Sequence, residues 1–212
     1  MKPFDGSFFD EDYFQKGRET GKSWFSHHHW MPQRSLKEGL AFIDYLGLDD
    51  TSYVLDFGCS MGFLVKALRI LEIKADGCDI SDYALSFAPE GCWNCSDENM
   101  WNVYAEKKYT HIIIKDVLEH LTKDQLIETF HNFKKIAPII ICIIPMGDDG
   151  TYRIKEYHSD KSHIIIENEN WWASLFNVCG WKIIKRCYHV PGIKDHWAHV
   201  YDGNYVFVLE KE

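Results

Sequence analysis

No stretch of this sequence is apolar for long enough to cross a membrane. The longest run, Ile136 to Met146, falls well short of the about 20 residues a spanning helix needs. Nor does the chain open on the charged-then-apolar pattern of a secretory leader, so a cytoplasmic protein with no membrane partner is expected. Positive charge is in deficit: 23 Lys and Arg against 32 Asp and Glu leave a net charge of −9. That balance argues against a nucleic-acid backbone as the main partner, and Lys107-Lys108 and Lys182 to Arg186 read as solvated edges. The paired cysteine ligands of a zinc site are missing too. Cys92-Trp93-Asn94-Cys95 is a single C-x-x-C without a second pair, while Cys59, Cys78, Cys142 and Cys179 read as small buried hydrophobes. There is no internal repeat, low-complexity tract or second domain. A chain of 212 residues with 46% apolar content suits one α/β domain with a decorated end, as a monomer or homodimer.

What the sequence does carry is concentrated in Val54 to Leu68, VLDFGCSMGFLVKAL. An apolar strand ending in Asp56 enters a turn with Gly58 and Gly62, then a helix with apolar residues at Phe63, Leu64, Ala67, Leu68 and Leu71. Glycine at a strand exit lets backbone approach a ligand, and the first N–H groups of the helix present partial positive charge to it. A dinucleotide fingerprint needs G-x-G-x-x-G, and a phosphate loop ends in Lys-Ser/Thr. Gly58-Cys59-Ser60-Met61-Gly62 is neither.

Two more segments repeat the pattern of a strand ending in an acid. Ala75 to Ser81, ADGCDIS, places Asp79 at a strand end before a helix opening on Ser81; Thr110 to Leu121, THIIIKDVLEHL, stops at Lys115-Asp116. An acid at the end of a second strand can accept hydrogen bonds from ribose hydroxyls. In order and spacing the three segments resemble the class I S-adenosylmethionine-dependent methyltransferases. Val54, Leu55, Asp56, Gly58, Cys59 and Gly62 match the first motif, V-L-D-x-G-C-G-x-G, with Ser60 in place of its middle glycine. A positive φ there would strain Ser60. The DVLEHL form resembles the fourth motif of small-molecule members.

The resemblance implies a doubly wound, Rossmann-like α/β fold with a seven-stranded, mostly parallel sheet in the order 3-2-1-4-5-7-6, strand 7 being antiparallel. It also implies S-adenosylmethionine as donor and S-adenosylhomocysteine as product. The cofactor residues it points to are Asp56, Gly58, Cys59, Ser60 and Gly62 in the first turn, Asp79 and Ile80 at the ribose, and Ser96 and Asp97 at the adenine amino group. Lys115 stands at the next strand end, and Arg34 or an arm histidine is expected to grip the methionine carboxylate.

Residues 1–34 are aromatic-rich and irregular, and read as an arm or lid over the domain of residues 35–212. Ser35 to Glu38 reads as a capping box opening a helix with Leu36, Leu40, Ile43 and Leu46 on its apolar face, and Thr122 to Gln125 as a second box. Ile139 to Ile144 has the composition of a strand buried on both faces. A helix from Asn168 to Gly180 and strands over Trp181–Cys187 and Tyr205–Leu209 finish the chain. The loop from Pro145 to Ser162 has no evident periodicity, and with the arm it is expected to close over the acceptor.

Methyl transfer needs in-line positioning and a base for the acceptor proton. His158 and His163 lie in YHSDKSHIIIE, where similar enzymes carry D-x-x-H, matched by Asp160 and His163. Those two histidines and Asp116 are the catalytic candidates, with His163 as base or acceptor anchor. Some similar enzymes hold magnesium or manganese with donors placed like Asp116, Glu119, His120 and His163. The expectation here is no metal, with Glu119 and His120 facing solvent or a neighbouring loop. The expected activity is methyl transfer to a small-molecule or glycan-like acceptor; a non-catalytic binding protein of the same fold is the alternative, and a nicotinamide-dependent oxidoreductase is disfavoured by the glycine spacing.

Overall fold

The computed structural model describes residues 4–96 and 100–212. The arm holds two short helices, α1 (Glu11–Phe14) and α2 (Gly17–Thr20), before the longer α3 (Pro32–Leu46). Then follow β1 (Tyr53–Phe57), α4 (Phe63–Ile70), β2 (Lys74–Asp79), α5 (Asp82–Leu85), β3 (Cys92–Asn94), α6 (Met100–Lys107), β4 (His111–Lys115) and α7 (Lys123–Ile136). The chain closes with β5 (Ile139–Pro145), a hairpin of β6 (Gly147–Asp148) and β7 (Thr151–Tyr152), α8 (Glu169–Val178), β8 (Trp181–Cys187) and β9 (Asn204–Lys211). The main sheet runs β3-β2-β1-β4-β5-β9-β8, parallel except for β9, which is antiparallel to both of its neighbours. Leaving out the small hairpin, this is the expected order 3-2-1-4-5-7-6 with the last strand reversed. Among the described residues no helix is long and apolar enough to cross a membrane.

The period of two in each strand sorts side chains to two cores. Leu55, Phe57, Ile112, Ile114, Ile140, Cys142, Ile144 and Phe207 point to one face, where Tyr104 of α6, Phe130 and Phe133 of α7, and Trp172 and Phe176 of α8 cover them. Val54, Ile113, Ile141, Ile143, Val206 and Val208 point to the other, under Phe42 of α3 and Leu64, Val65 and Leu68 of α4. Both faces of the central strands are dry, which is why they read as unbroken apolar runs. The Thr122 capping box forms as expected, with Thr122 Oγ1 accepting the Gln125 N–H at 3.3 Å and Gln125 Oε1 accepting the Thr122 N–H at 2.9 Å.

Three elements differ from expectation. Helix α3 begins at Pro32, whose fixed φ suits the first helical position, so Ser35 lies inside the helix and caps nothing. Its buried face is Ser35, Glu38, Gly39 and Phe42, while Leu40 is exposed. Gly39 is what allows this rotation: a Cβ there would sit 2.9 Å from Leu71 Cδ1 below α4. Helix α6 was not anticipated at all. Finally, the segment after β5 has structure of its own. Asp149 and Gly150, at φ 49° and 76°, make the turn between β6 and β7, and Tyr152, Ile154 and Tyr157 pack with Trp197 in a small separate core.

The turn after β1 is fixed by contact with the loop after β4. Gly58 has φ +81°, and a Cβ there would collide with Val117 Cγ2. Gly58→Ala should therefore cost at least about 2 kcal/mol, adding left-handed strain to overpacking. Urea denaturation measures this, and a loss below about 0.5 kcal/mol would show that the turn relaxes freely.

Candidate functional site

The chemistry-bearing groups gather where β1, β2 and β4 end. In the turn after β1, Gly58, Ser60 and Gly62 all have positive φ, at 81°, 51° and 67°. The N–H groups of Gly58 and Cys59 both donate to the Cys78 carbonyl at 2.8 Å, and that of Gly62 to the Cys59 carbonyl at 2.9 Å. Ser60 donates its N–H to Asp79 Oδ2 at 2.7 Å. These amides are thus spent on shaping the turn against β2 and do not point free at a ligand. Ser60 Oγ, in contrast, is buried with no hydrogen-bond partner, an unpaired polar atom of the kind a bound polar group satisfies.

Asp79 is the hub of this corner. Its Oδ1 accepts the Ser81 N–H at 2.9 Å, and Ser81 in turn caps α5 through the Ala84 N–H at 3.0 Å. Each carboxylate oxygen has two acceptor directions, so one per oxygen is left for a hydroxyl. Burial raises the Asp79 carboxyl above its ordinary range, against the opposing amide hydrogen bonds. The arm lies alongside: Phe9, Tyr13 and Phe14 pack with Met61 and Ala84, Ile80 borders that cluster, and Ser81 Oγ donates to the Phe9 carbonyl at 2.5 Å. Ser96 is exposed, with its N–H and hydroxyl both on Asn94 Oδ1 at 2.8 and 2.6 Å. Asp97 lies outside the described residues.

A second group surrounds Asp56. Burial pushes its carboxyl up to about 7, although the Lys115 charge pulls the other way. Lys115 itself is paired with Glu38 of α3, at 2.8 and 3.1 Å to the two carboxylate oxygens. Arm residue His28 is held down at about 4 by burial and by the positive charges of Lys115 and Arg34. Arg34 is exposed, with Nη2 3.4 Å from His196 Nδ1.

The third group follows β4. Asp116 takes a left-handed φ of 56° and is bonded by the Lys194 ammonium, which also donates to Asn204 Oδ1 at 2.6 Å and lies 4.8 Å from the Tyr157 ring centre. Glu119 is fully buried and neither carboxyl oxygen has a partner; His120 Nδ1 is likewise unpaired. Burial, reinforced by Asp116, drives the Glu119 carboxyl well above its ordinary range. His163 Nδ1 lies 3.0 Å from the Tyr157 carbonyl, which can only accept, so the proton sits on Nδ1 and Nε2 carries a lone pair. That Nε2 is 3.8 Å from Glu119 Oε1 and 4.0 Å from Asp160 Oδ2. Burial lowers His163 to about 4, so the ring is neutral at physiological pH.

Of the two expected settings for Glu119 and His120, solvent or a neighbouring loop, it is the loop that covers them: the turn over Leu118–His120 folds under the segment after β5, whose Ile164 and Ile165 N–H groups donate to the Glu119 carbonyl at 2.9 and 3.1 Å. His158 does not join the cluster. It is exposed, and its Nε2 accepts the Tyr152 N–H at 2.9 Å, tying the loop. Glu119, His120 and His163 can each place a donor atom within 4.8 Å of the others. One carboxylate and two imidazoles suit a divalent ion such as manganese, and the unpaired buried atoms fit one. Lys194 had no sequence signal, since it lies in an irregular loop. Glu119 had one, the DVLEHL motif, but its burial did not show.

Asp56 gives this site a pH dependence. Its folded value lies above the ordinary 3.8, so its stabilisation is complete in acid and is lost as pH rises towards about 7, because the unfolded chain ionises first. Asp56→Asn should therefore gain stability relative to the wild type between pH 4.5 and 7.5, by up to about 4 kcal/mol. Parallel urea titrations across that range would show a constant difference if Asp56 were not buried in this way.

No family model matches the sequence, and no curated protein matches it. The fold does have solved counterparts. A SAM-dependent methyltransferase from Archaeoglobus fulgidus superposes with TM-score 0.62 at 16% identity, covering 84% of this chain and 94% of that one. Magnesium protoporphyrin IX methyltransferase from Synechocystis PCC 6803, with bound SAH, gives 0.62 at 13% identity over 98% and 100%. The CcbJ methyltransferase of Streptomyces caelestis gives 0.58 at 12% over 86% and 90%. With its strand order, reversed last strand and glycine turn after β1, the chain has the fold of the class I S-adenosylmethionine-dependent methyltransferases.

Proposed function

We propose that this protein transfers a methyl group from S-adenosylmethionine to a small-molecule or glycan-like acceptor. The observation that carries the reading is the Ser60–Asp79 corner: a left-handed turn pinned to an acid at the end of β2, with spare acceptor directions and an unpaired hydroxyl beside it. When bound, the cofactor supplies a methyl group already activated by a sulfonium. Asp79 would take the ribose hydroxyls, with Gly58, Cys59, Gly62 and Ile80 shaping the pocket and Ser60 Oγ donating to the ligand. Lys115 and Arg34 would offer positive charge to the methionine carboxylate, and Ser96 would lie towards the adenine.

The acceptor would be met by the cluster of Asp116, Glu119 and His163. His163 presents a bare Nε2 at neutral pH, and the arm reaches the same cluster, Tyr13 donating its hydroxyl to Asp160 at 2.6 Å. A value near 4 makes His163 a weak base on its own. The donor set of Glu119, His120 and His163 therefore favours a second reading of the same cluster, as ligands of a divalent ion that orients an acceptor oxygen and acidifies it.

Calorimetry tests the first reading: S-adenosylhomocysteine should bind and NAD should not, and Asp79→Ala should weaken binding by about 1.5 to 3 kcal/mol with an unchanged circular dichroism spectrum. Wild-type affinity in that variant would remove Asp79 from the ribose. Manganese titration tests the second, with Glu119→Gln and His163→Ala each losing the site while keeping their affinity for S-adenosylhomocysteine. A wild-type chain that takes up no manganese would leave the cluster to proton chemistry alone.

A further inference from the structure

The chain has seven cysteines, and all are free thiols. Two of them meet over a glycine. Cys59 belongs to the turn after β1, and Cys92 opens β3, where the sheet register sets it beside Gly77 of β2. A Cβ on Gly77 would lie 2.7 Å from Cys59 Sγ and 3.0 Å from Cys92 Sγ. The missing side chain is therefore the space that both sulfurs share. Cys92 also reaches under the start of α4, since a Cβ on Gly62 would lie 3.2 Å from its Sγ.

We propose that Cys59 and Cys92 form an oxidisable dithiol that, once closed to a disulfide, fastens the turn after β1 to the edge strand β3 and weakens nucleoside binding there. The effect on binding rests on the function proposed above; the oxidation site does not. Strand β3 is the outermost strand of the sheet and Cys92 is only partly buried, whereas Cys59 is 6% exposed. Reaction with glutathione disulfide thus begins at Cys92. Its thiolate attacks one glutathione sulfur and expels glutathione. Cys59 then gives up its proton and attacks the Cys92 sulfur, expelling the second glutathione. Two protein thiols are oxidised and one glutathione disulfide is reduced, a balanced two-electron exchange. The adjacent Cys92 thiol and burial both hold the Cys59 thiol up in its protonated form, so the second step is the slow one.

A disulfide needs its sulfurs about 2.05 Å apart with a near-perpendicular torsion. Closing this pair draws the turn towards β3 and pulls Ser60 off Asp79. A second contact, Cys78 with Cys95, lies on the other face of the sheet, in the core with Tyr104. Neither of its thiols belongs to the turn, which Cys78 meets only through its carbonyl, and the pair serves as the control.

The full-length chain is equilibrated in glutathione buffers, alkylated and mapped by peptide mass spectrometry, with S-adenosylhomocysteine affinity measured by calorimetry on the oxidised and reduced forms. The expected result is a Cys59–Cys92 linked peptide and an affinity at least about tenfold weaker when oxidised, restored by dithiothreitol. Cys92→Ser should match the reduced wild type and ignore oxidation, and Cys95→Ser should respond like the wild type. Absence of the linked peptide overturns the proposal, and so does a linked chain whose affinity is unchanged. A reduced chain that never binds S-adenosylhomocysteine overturns the methyltransferase reading and the effect on binding, while the linked peptide alone still decides the oxidation site.

Discussion

Burial of carboxyl groups at one end of the sheet is the constraint around which the rest of the molecule is arranged. Asp56, Asp79, the part-exposed Asp116 and Glu119 all end up at the carboxyl edge of β1, β2 and β4, where loss of water disfavours the ionised form of each. Each is treated differently. Asp79 is compensated by backbone amides, and Asp116 by a buried ammonium that holds its carboxyl below the usual range. Asp56 faces the charge of Lys115, itself balanced by Glu38. Glu119 has nothing. A fully buried carboxyl without a partner costs stability that a neutral, well-packed residue would not. Such a cost persists where a ligand or proton completes the site.

That arrangement explains several features that look unrelated along the chain. Helix α3 turns Leu40 to solvent because Glu38 must reach Lys115 and because Gly39 lets the helix sit close on Leu71 and Ala67. The arm is held by polar as well as apolar contacts, since Tyr13 gives its hydroxyl to Asp160 while its ring packs against Phe9 and Phe14. The loop before β9 carries Lys194 inward in a left-handed conformation, at φ 55°, to reach both Asp116 and Asn204. Arm, helix and loop come from distant parts of the sequence and converge on the acids of three strand ends.

The sheet was legible because its signals are local. Strands such as Ile139–Pro145 are apolar on both faces, Thr122 and Gln125 form the capping box their spacing announces, and Ser81 caps the helix after Asp79. The positive φ of Ser60 was legible from its place in a glycine motif. What stayed hidden depends on partners far away in sequence. Nothing near Glu119 says that the segment around Ile164 will cover it, whereas Pro32, close before Ser35, is a local signal for the helix start that the capping-box pattern masked. The β6–β7 hairpin is a different case, since Asp149-Gly150 is a local turn signal that lay unread inside an apparent loop.

A crystal structure of the chain with S-adenosylhomocysteine tests the account most directly. It should show both ribose hydroxyls within hydrogen-bonding distance of Asp79, Ser60 Oγ bonded to the ligand, and the sulfur turned towards the cluster of Asp116, Glu119 and His163. A ligand bound elsewhere, or a ribose turned away from Asp79, would contradict it.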